Sequence, residues 1–281
     1  MQSRRFIQCD VFTSVPAKGN GLAVVVDGDG LSEAQMQDFA AWTNLAETTF
    51  LQTPTDSTAD YKVKIFTPAR EMPFAGHPTL GSCAAWLRSG GVPKNAGVVR
   101  QECGVGIVDI DISGTVPAFV APPTTIGPLP EDSRQSIMSA LEIDPASVVR
   151  TAALNNGPDW QVLELKSAAD VLAVDSSKVR WPEFKPIGLI GAHPEGSECR
   201  YEVRMLAPSS GMSEDPITGS LNAALACWMH EEGRLTEEIV IAQGTSIDRH
   251  GRVHIRPPGR DGGGILIGGE VQMMIEGTLT F

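Results

Sequence analysis

The sequence has 281 residues, 42% of them hydrophobic, with 22 basic against 34 acidic side chains and a formal net charge of −12. That length supports one large core or two medium ones, and that charge argues against a nucleic-acid backbone or an anionic membrane surface as partner. No run reaches the roughly 18 apolar residues of a membrane span, and MQSRRFIQCDVF enters a strand-like pattern without a signal-peptide core, so a cytoplasmic protein is expected. The cysteines Cys9, Cys83, Cys103, Cys199 and Cys227 form no C-x-x-C pair, which suits neither a disulfide framework nor a zinc site.

Phe6 to Phe12 alternates as a strand, Gly19-Asn20-Gly21 turns the chain, and Leu22 to Val26 reads as a second strand. Ser32-Glu33-Ala34-Gln35 has the form of a capping box, opening a helix with Met36, Phe39, Ala40 and Trp42 on or near one face and an end near Asn44. A strand over Thr48 to Leu51 follows, with Glu47 at the junction, and Asp60 to Phe66 is another strand. Gly76-His77-Pro78 then opens a helix over roughly 78–89, apolar nearly all round and therefore buried, with Gly90-Gly91 as its stop. Its first N–H groups are free to meet a carboxylate or phosphate. Read alone, the stretch is equally an ordinary core helix.

Val98 to Ile112 reads as two short strands around Gly104-Val105-Gly106, which is no dinucleotide loop because Asp109 stands where a third glycine is needed. Pro117 to Pro130 carries five prolines and reads as the linker between domains. Beyond it come a helix over Glu131 to Leu141, strands near 148–154 and 160–166, a short helix over Ser167 to Val174, a buried strand over Phe184 to Ala192 and an alternating strand over Arg200 to Leu206. A second apolar, alanine-rich helix runs from Leu221 to Met229, followed by a β-rich section from Ile239 to Ile255, a Gly262-Gly263-Gly264 cluster and final strands over Leu266 to Phe281. Cys83 and Cys227 lie inside the two apolar helices and read as packing residues.

The two helices belong to a repeat. VKIFTPAREM (63–72) aligns with VRMLAPSSGM (203–212) at an offset of 140, with Pro68 on Pro208 and Met72 on Met212. After three inserted residues the offset is 143, which places Ala75-Gly76-His77 on Thr218-Gly219-Ser220 and Gly90 on Gly233. A repeat of that period reads as duplication of a domain.

The segments DVFTSVPAKGNGLAVV (10–25), NLAETTF (44–50), FTPAREMPFAGHPTLG (66–81) and EDPITGSLNAALACW (214–228) resemble the signature blocks of the PhzF family of phenazine-biosynthesis isomerases, a family related to diaminopimelate epimerase. The resemblance implies an α+β fold of two similar, pseudo-symmetric domains, each a barrel-like sheet wrapped around a central apolar helix. With the boundary in the proline-rich stretch the domains are residues 1–120 and 121–273, and the resemblance implies a C-terminal strand at about 274–281 returning to the first domain. It also implies a homodimer and chemistry that needs no cofactor.

Read locally, Glu47 is either a surface glutamate at a strand start or a general acid/base whose partial desolvation brings its two protonation states closer in energy. The resemblance places it on the family's catalytic glutamate. By the same resemblance His77 and Asp215 polarise or shuttle protons, Ser220 donates a hydroxyl, and the N–H groups near Gly76 and Gly219 hold a substrate carboxylate if the two glycine turns face each other. Related epimerases and racemases use one cysteine at each turn; here those positions are Ala75 and Thr218. A double-bond isomerisation by one carboxylate is therefore expected, on trans-2,3-dihydro-3-hydroxyanthranilate or another unsaturated cyclic acid. Two other readings are an amino-acid epimerase with non-cysteine bases and a protein that binds a small acid without turning it over.

Ala46 stands where many members have serine, and Asp248-Arg249-His250 where a Gly-Arg-Pro-Ser-like segment is common, so both positions bear on substrate choice. His250 and His254 are four apart, but Gly251 between them favours a turn and strand over a metal-binding helix. No metal site is expected. His193 is placed in a loop and His230 near a helix end.

Overall fold

The computed structural model describes residues 2–178, 186–206, 213–259 and 262–281. In chain order the elements are β1 (Ser3–Val11), β2 (Asn20–Val25), α1 (Glu33–Thr43), β3 (Glu47–Gln52), β4 (Tyr61–Phe66), β5 (Glu71–Met72), α2 (Gly76–Arg88), β6 (Val98–Cys103), β7 (Gly106–Asp111), β8 (Ala118–Val120) and β9 (Thr125–Gly127). They continue with α3 (Glu131–Ala140), β10 (Val148–Asn155), β11 (Asp159–Leu165), α4 (Ala168–Ala173), β12 (Ile187–Ala192), β13 (Tyr201–Leu206), β14 (Glu214–Asp215), α5 (Gly219–Glu231), β15 (Ile239–Gln243), β16 (Gly251–Arg256), β17 (Leu266–Gly268) and β18 (Val271–Thr280). The fold is mixed α+β. Among the described residues no helix is long and apolar enough to cross a membrane.

The chain forms two compact units, Met1–Val120 with Gly268–Phe281, and Ala121–Ile267. In the first, the strand order is β18-β1-β2-β3-β4-β6-β7-β8, with the two-residue β5 on β4. The pairs β2–β3 and β4–β6 are parallel, and each parallel step is reached through a helix, α1 and α2 respectively. Helix α2 packs on β1, β2, β3, β6, β8 and β18, strands from both ends of that order, so the sheet curls around it. This is where its apolar surface goes: nine of its thirteen residues are buried. At Gly81 a Cβ would meet Leu22 Cδ2 at 2.5 Å and Cys9 Sγ at 3.0 Å, so the absent side chain lets helix and sheet approach.

The second unit repeats the scheme. Its order is β9-β10-β11-β12-β13-β15-β16, with β14 on β13, and β11–β12 and β13–β15 are its parallel pairs. Helix α5 packs on β10 and β16, and nine of its thirteen residues are buried. One strand differs in origin: the outer partner of β1 is the last strand of the chain, whereas the outer partner of β10 is β9, which precedes it.

Local chemistry sets the boundaries. Ser32 and Gln35 make the reciprocal capping box at the head of α1, and Asn44 ends that helix in the left-handed conformation (φ 54°). Gly90 (φ 95°) and Gly233 (φ 69°) turn the chain out of α2 and α5. Both central helices begin earlier than their apolar runs suggest, at Gly76 and Gly219, so Pro78 is the third helical residue, still in the turn where its missing N–H costs nothing.

Several expectations need correction. The proline-rich stretch over 117–130 does contain the boundary between the two units, after Val120, and it also carries β8 and β9, flanked by the prolines. Trp42 is 80% exposed, because at 100° per residue it falls about 120° around α1 from the buried Met36; it stacks on Phe39 instead, with centroids 5.9 Å apart. Cys83 is buried, but Cys227 only half so. The strand expected from Phe184 begins at Ile187, and Phe184 lies outside the described residues.

The ladders also move the insertion in the repeat. Ile65 pairs with Met72 in the first unit and Met205 with Asp215 in the second, so Met72 corresponds to Asp215. The three extra residues fall in the loop before β14, and the proposed partners Pro208 and Met212 lie outside the described residues.

Candidate active site

In the first unit Glu47 is the first residue of β3, delivered by the left-handed turn at Asn44 and paired with Leu22 on β2. Its side chain is 18% exposed, and Oε2 lies 3.4 Å from Nε2 of His77, the second residue of α2. Burial lowers the His77 pKa to about 3, so the ring is neutral at neutral pH. A neutral imidazole beside a carboxyl group can donate to the carboxylate or accept from the acid, which lets the pair hold a proton in either place.

The head of α2 is left open. As the first two residues of the helix, Gly76 and His77 have N–H groups with no helical partner, and the N-cap, Ala75, offers no side chain to them. What holds the turn is a buried polar chain. Thr79 Oγ1 donates to the Ala75 carbonyl at 2.9 Å, Gln101 Nε2 on β6 donates to Thr79 Oγ1 at 3.1 Å, and the Tyr61 hydroxyl donates to Gln101 Oε1 at 2.9 Å.

The second unit builds the same anchor with different residues. Asn222, at the position of Thr79, donates from Nδ2 to the Thr218 carbonyl at 2.9 Å and to Gln243 Oε1 at 2.8 Å. Gln243, on β15, also accepts from the Thr218 N–H at 3.1 Å and donates to Thr218 Oγ1 at 3.0 Å. The Thr218 hydroxyl in turn donates to Asp215 Oδ2. Ser220 is half-buried, and its carbonyl accepts from Asn156 Nδ2 at 2.8 Å.

Within each unit, then, the expected residues are placed together: Glu47 with His77 at the open helix start after Ala75, and Asp215 beside Thr218, Gly219 and Ser220. Sequence reasoning missed Gln101 and Gln243. A polar amide at the end of an apolar run such as IVIAQ was the available signal, strengthened by a spacing of 142 residues, one short of the helix offset.

Among the described residues no group of three His, Cys, Asp or Glu side chains is arranged to hold a metal ion. His250 Nε2 is 2.8 Å from Arg252 and His254 Nδ1 is 3.7 Å from Glu238. Surface clefts of about 440 and 420 Å³ in the first unit are lined by neither Glu47 nor His77.

The class these features define is a duplicated α+β fold in which each copy wraps a sheet around one apolar helix, and one copy carries a carboxylate–imidazole pair at the helix head. The chain belongs to the PhzC-PhzF family of phenazine biosynthesis-like proteins, whose model matches residues 9–277. It is 33% identical over 299 residues to antisense-enhancing sequence 1 of Schizosaccharomyces pombe, with 99% of each chain covered. It is 31% identical to the trans-2,3-dihydro-3-hydroxyanthranilate isomerase of Pseudomonas chlororaphis, over 91% of each chain. Among solved structures, a PhzF-family phenazine biosynthesis protein from Bacillus anthracis superposes with a TM-score of 0.84 at 20% identity, covering all of both chains.

Proposed function

We propose that this protein is an isomerase that moves a proton and a double bond within a small unsaturated cyclic carboxylic or amino acid, without a cofactor. The observation that carries the reading is the Glu47–His77 contact at 3.4 Å, with a neutral ring and a single carboxyl group at the head of α2. In register, Thr48 opposite Phe66 answers to Ile187 opposite Leu206, so Glu47 answers to Pro186 and the second unit has no acid there. Neither helix head offers a thiol, since Ala75 and Thr218 occupy those places.

One carboxylate on one face suits a 1,3-type shift. Glu47 takes the proton from an activated C–H, the electron pair moves into the conjugated system, and the resulting carboxylic acid returns the proton to another carbon of that system. One proton leaves and one returns, with no net oxidation. His77 steadies the proton on Glu47 by accepting from the acid or donating to the carboxylate. The N–H groups of Gly76 and His77 suit a substrate carboxylate, because fixed dipoles at a helix start stabilise negative charge without reorganising. We assign Asp215 to proton handling and Gly219 and Ser220 to substrate binding in the same reaction, on the strength of the family resemblance.

The relative from Pseudomonas chlororaphis makes trans-2,3-dihydro-3-hydroxyanthranilate the first substrate to try. Incubated in heavy water, the wild type is expected to consume it and to leave deuterium at the receiving carbon. Glu47→Gln is expected to lose about 10²- to 10⁴-fold in rate. A variant as fast as the wild type would remove Glu47 from the chemistry; a wild type inert toward this and other unsaturated cyclic acids would overturn the isomerase reading.

A further inference from the structure

Thr218 stands immediately before the first residue of α5, where its side chain is positioned to cap the helix, and it does not do so. Its hydroxyl is committed elsewhere, and the direction of every proton in that commitment can be worked out. The Thr218 backbone N–H can only donate, so the Gln243 atom 3.1 Å from it is the amide oxygen. The Thr218 carbonyl can only accept, so the Asn222 atom 2.9 Å from it is nitrogen, and that nitrogen also meets Gln243 at 2.8 Å, which again requires oxygen there. Two independent contacts thus fix the amide orientation, and Gln243 must present Nε2 to Thr218 Oγ1 at 3.0 Å. With that lone pair filled, the single hydroxyl proton points to Asp215 Oδ2.

We propose that Thr218 and Gln243 are positioning residues that act through Asp215, holding its carboxyl group in the ionised form and in one orientation by a relay running from the Gln243 amide through the Thr218 hydroxyl. Thr218, donating on one side and accepting on the other, is no base itself. The relay belongs to the second unit alone: in the first, the residue at the place of Thr218 is Ala75, and Gln101 reaches Thr79 instead. Asp215 and Thr218 are each 7% exposed, and Asn222 and Gln243 are fully buried, so water competes little for these bonds. The inference deepens the functional reading and rests on Asp215 taking part in proton handling.

Two charged residues lie on the segments beside this relay. Glu214, next in the chain, is bound to Arg204, and Arg249 lies on the turn after Gly244, whose backbone packs on the Pro216 carbonyl. A substitution at Thr218 leaves both in place.

The test is a carbon-13 NMR titration of the full chain labelled at the aspartate carboxyl carbons, with Asp215→Asn identifying the Asp215 resonance. A hydrogen bond to the charged form favours that form, so Thr218→Val, which removes the donor and keeps the shape, is expected to move the Asp215 midpoint to higher pH. Thr218→Ser retains the hydroxyl and is expected to titrate with the wild type. Gln243→Met, which frees the hydroxyl to turn away, is expected to move the midpoint in the same direction by less. A Thr218→Val midpoint equal to that of the wild type, or a Thr218→Ser midpoint shifted as far as that of Thr218→Val, overturns the relay. The titration needs no substrate, so failure to turn over any acid would sink the isomerase reading and leave this result standing. Where turnover is found, the acidic limb of the pH–rate profile should follow the NMR midpoint across the three variants.

Discussion

The two units place the same ion pair in the same slot and bury it to different depths. In the first, Lys64 on β4 faces Glu71 on β5 at 3.4 Å and reaches Glu33 at the head of α1 at 2.6 Å, with the Glu71 side chain 42% exposed. In the second, Arg204 on β13 grips Glu214 on β14 at 2.7 and 3.0 Å, with side chains 2% and 0% exposed. The cation has changed with the burial. A lysine offers a compact charge that water can finish solvating, whereas the guanidinium fork satisfies both carboxylate oxygens and still spends Nη1 on the carbonyls of Val171 and Val174 under α4. Topology fixes where the pair forms; depth decides which residues can form it and what its loss costs.

That contrast can be broken from the buried side first. Glu214→Gln leaves the Arg204 charge enclosed without its counter-ion, and about 3–5 kcal/mol of stability should be lost, read as a lower urea midpoint.

A second difference lies at the helix heads, where His77 in one unit answers to Ser220 in the other. A histidine whose folded pKa is depressed to about 3 disfavours protonation of the native state, so its contribution is intact above the unfolded value near 6.5 and declines as the pH falls toward 3. The slope is about 1.4 kcal/mol per pH unit in that window. His77→Ser gives the first helix the head of the second, and urea unfolding at pH 7, 5 and 4 should show a shallower acid loss than in the wild type. Parallel curves would remove His77 as a source of acid sensitivity.

The smallest effect is expected at the exposed pair. Glu71→Gln should cost less than about 1 kcal/mol, because water and salt already screen it and Lys64 keeps Glu33. A loss as large as that of Glu214→Gln would mean that exposure does not separate the two slots.

Much of this architecture was legible in one dimension because it depends on neighbours in the chain. Ser32 three residues before Gln35, Asn44 at a helix end, and a glycine turn leading into a run such as GSLNAALACW each carry their own geometry, and the period between the two apolar helices exposed the duplication. Glu47 and His77 stood out by resemblance, as did Asp215 and Ser220. Their distances did not, since Glu47 reaches His77 only after β3 has paired parallel to β2 and α2 has docked across both. Gln101 and Gln243 were passed over for the same reason: an amide in a strand looks like any polar residue until the neighbouring parallel strand and a helix head close around it. The short strands among the prolines of 117–130 owe their existence to partners elsewhere in the chain, and three-residue segments have no periodicity to read. The return of the last strand to the first domain came from the resemblance and not from chain order, and its register against β1, like the burial that separates Arg204–Glu214 from Lys64–Glu71, was settled only by long-range packing, which brings together residues that the chain keeps far apart.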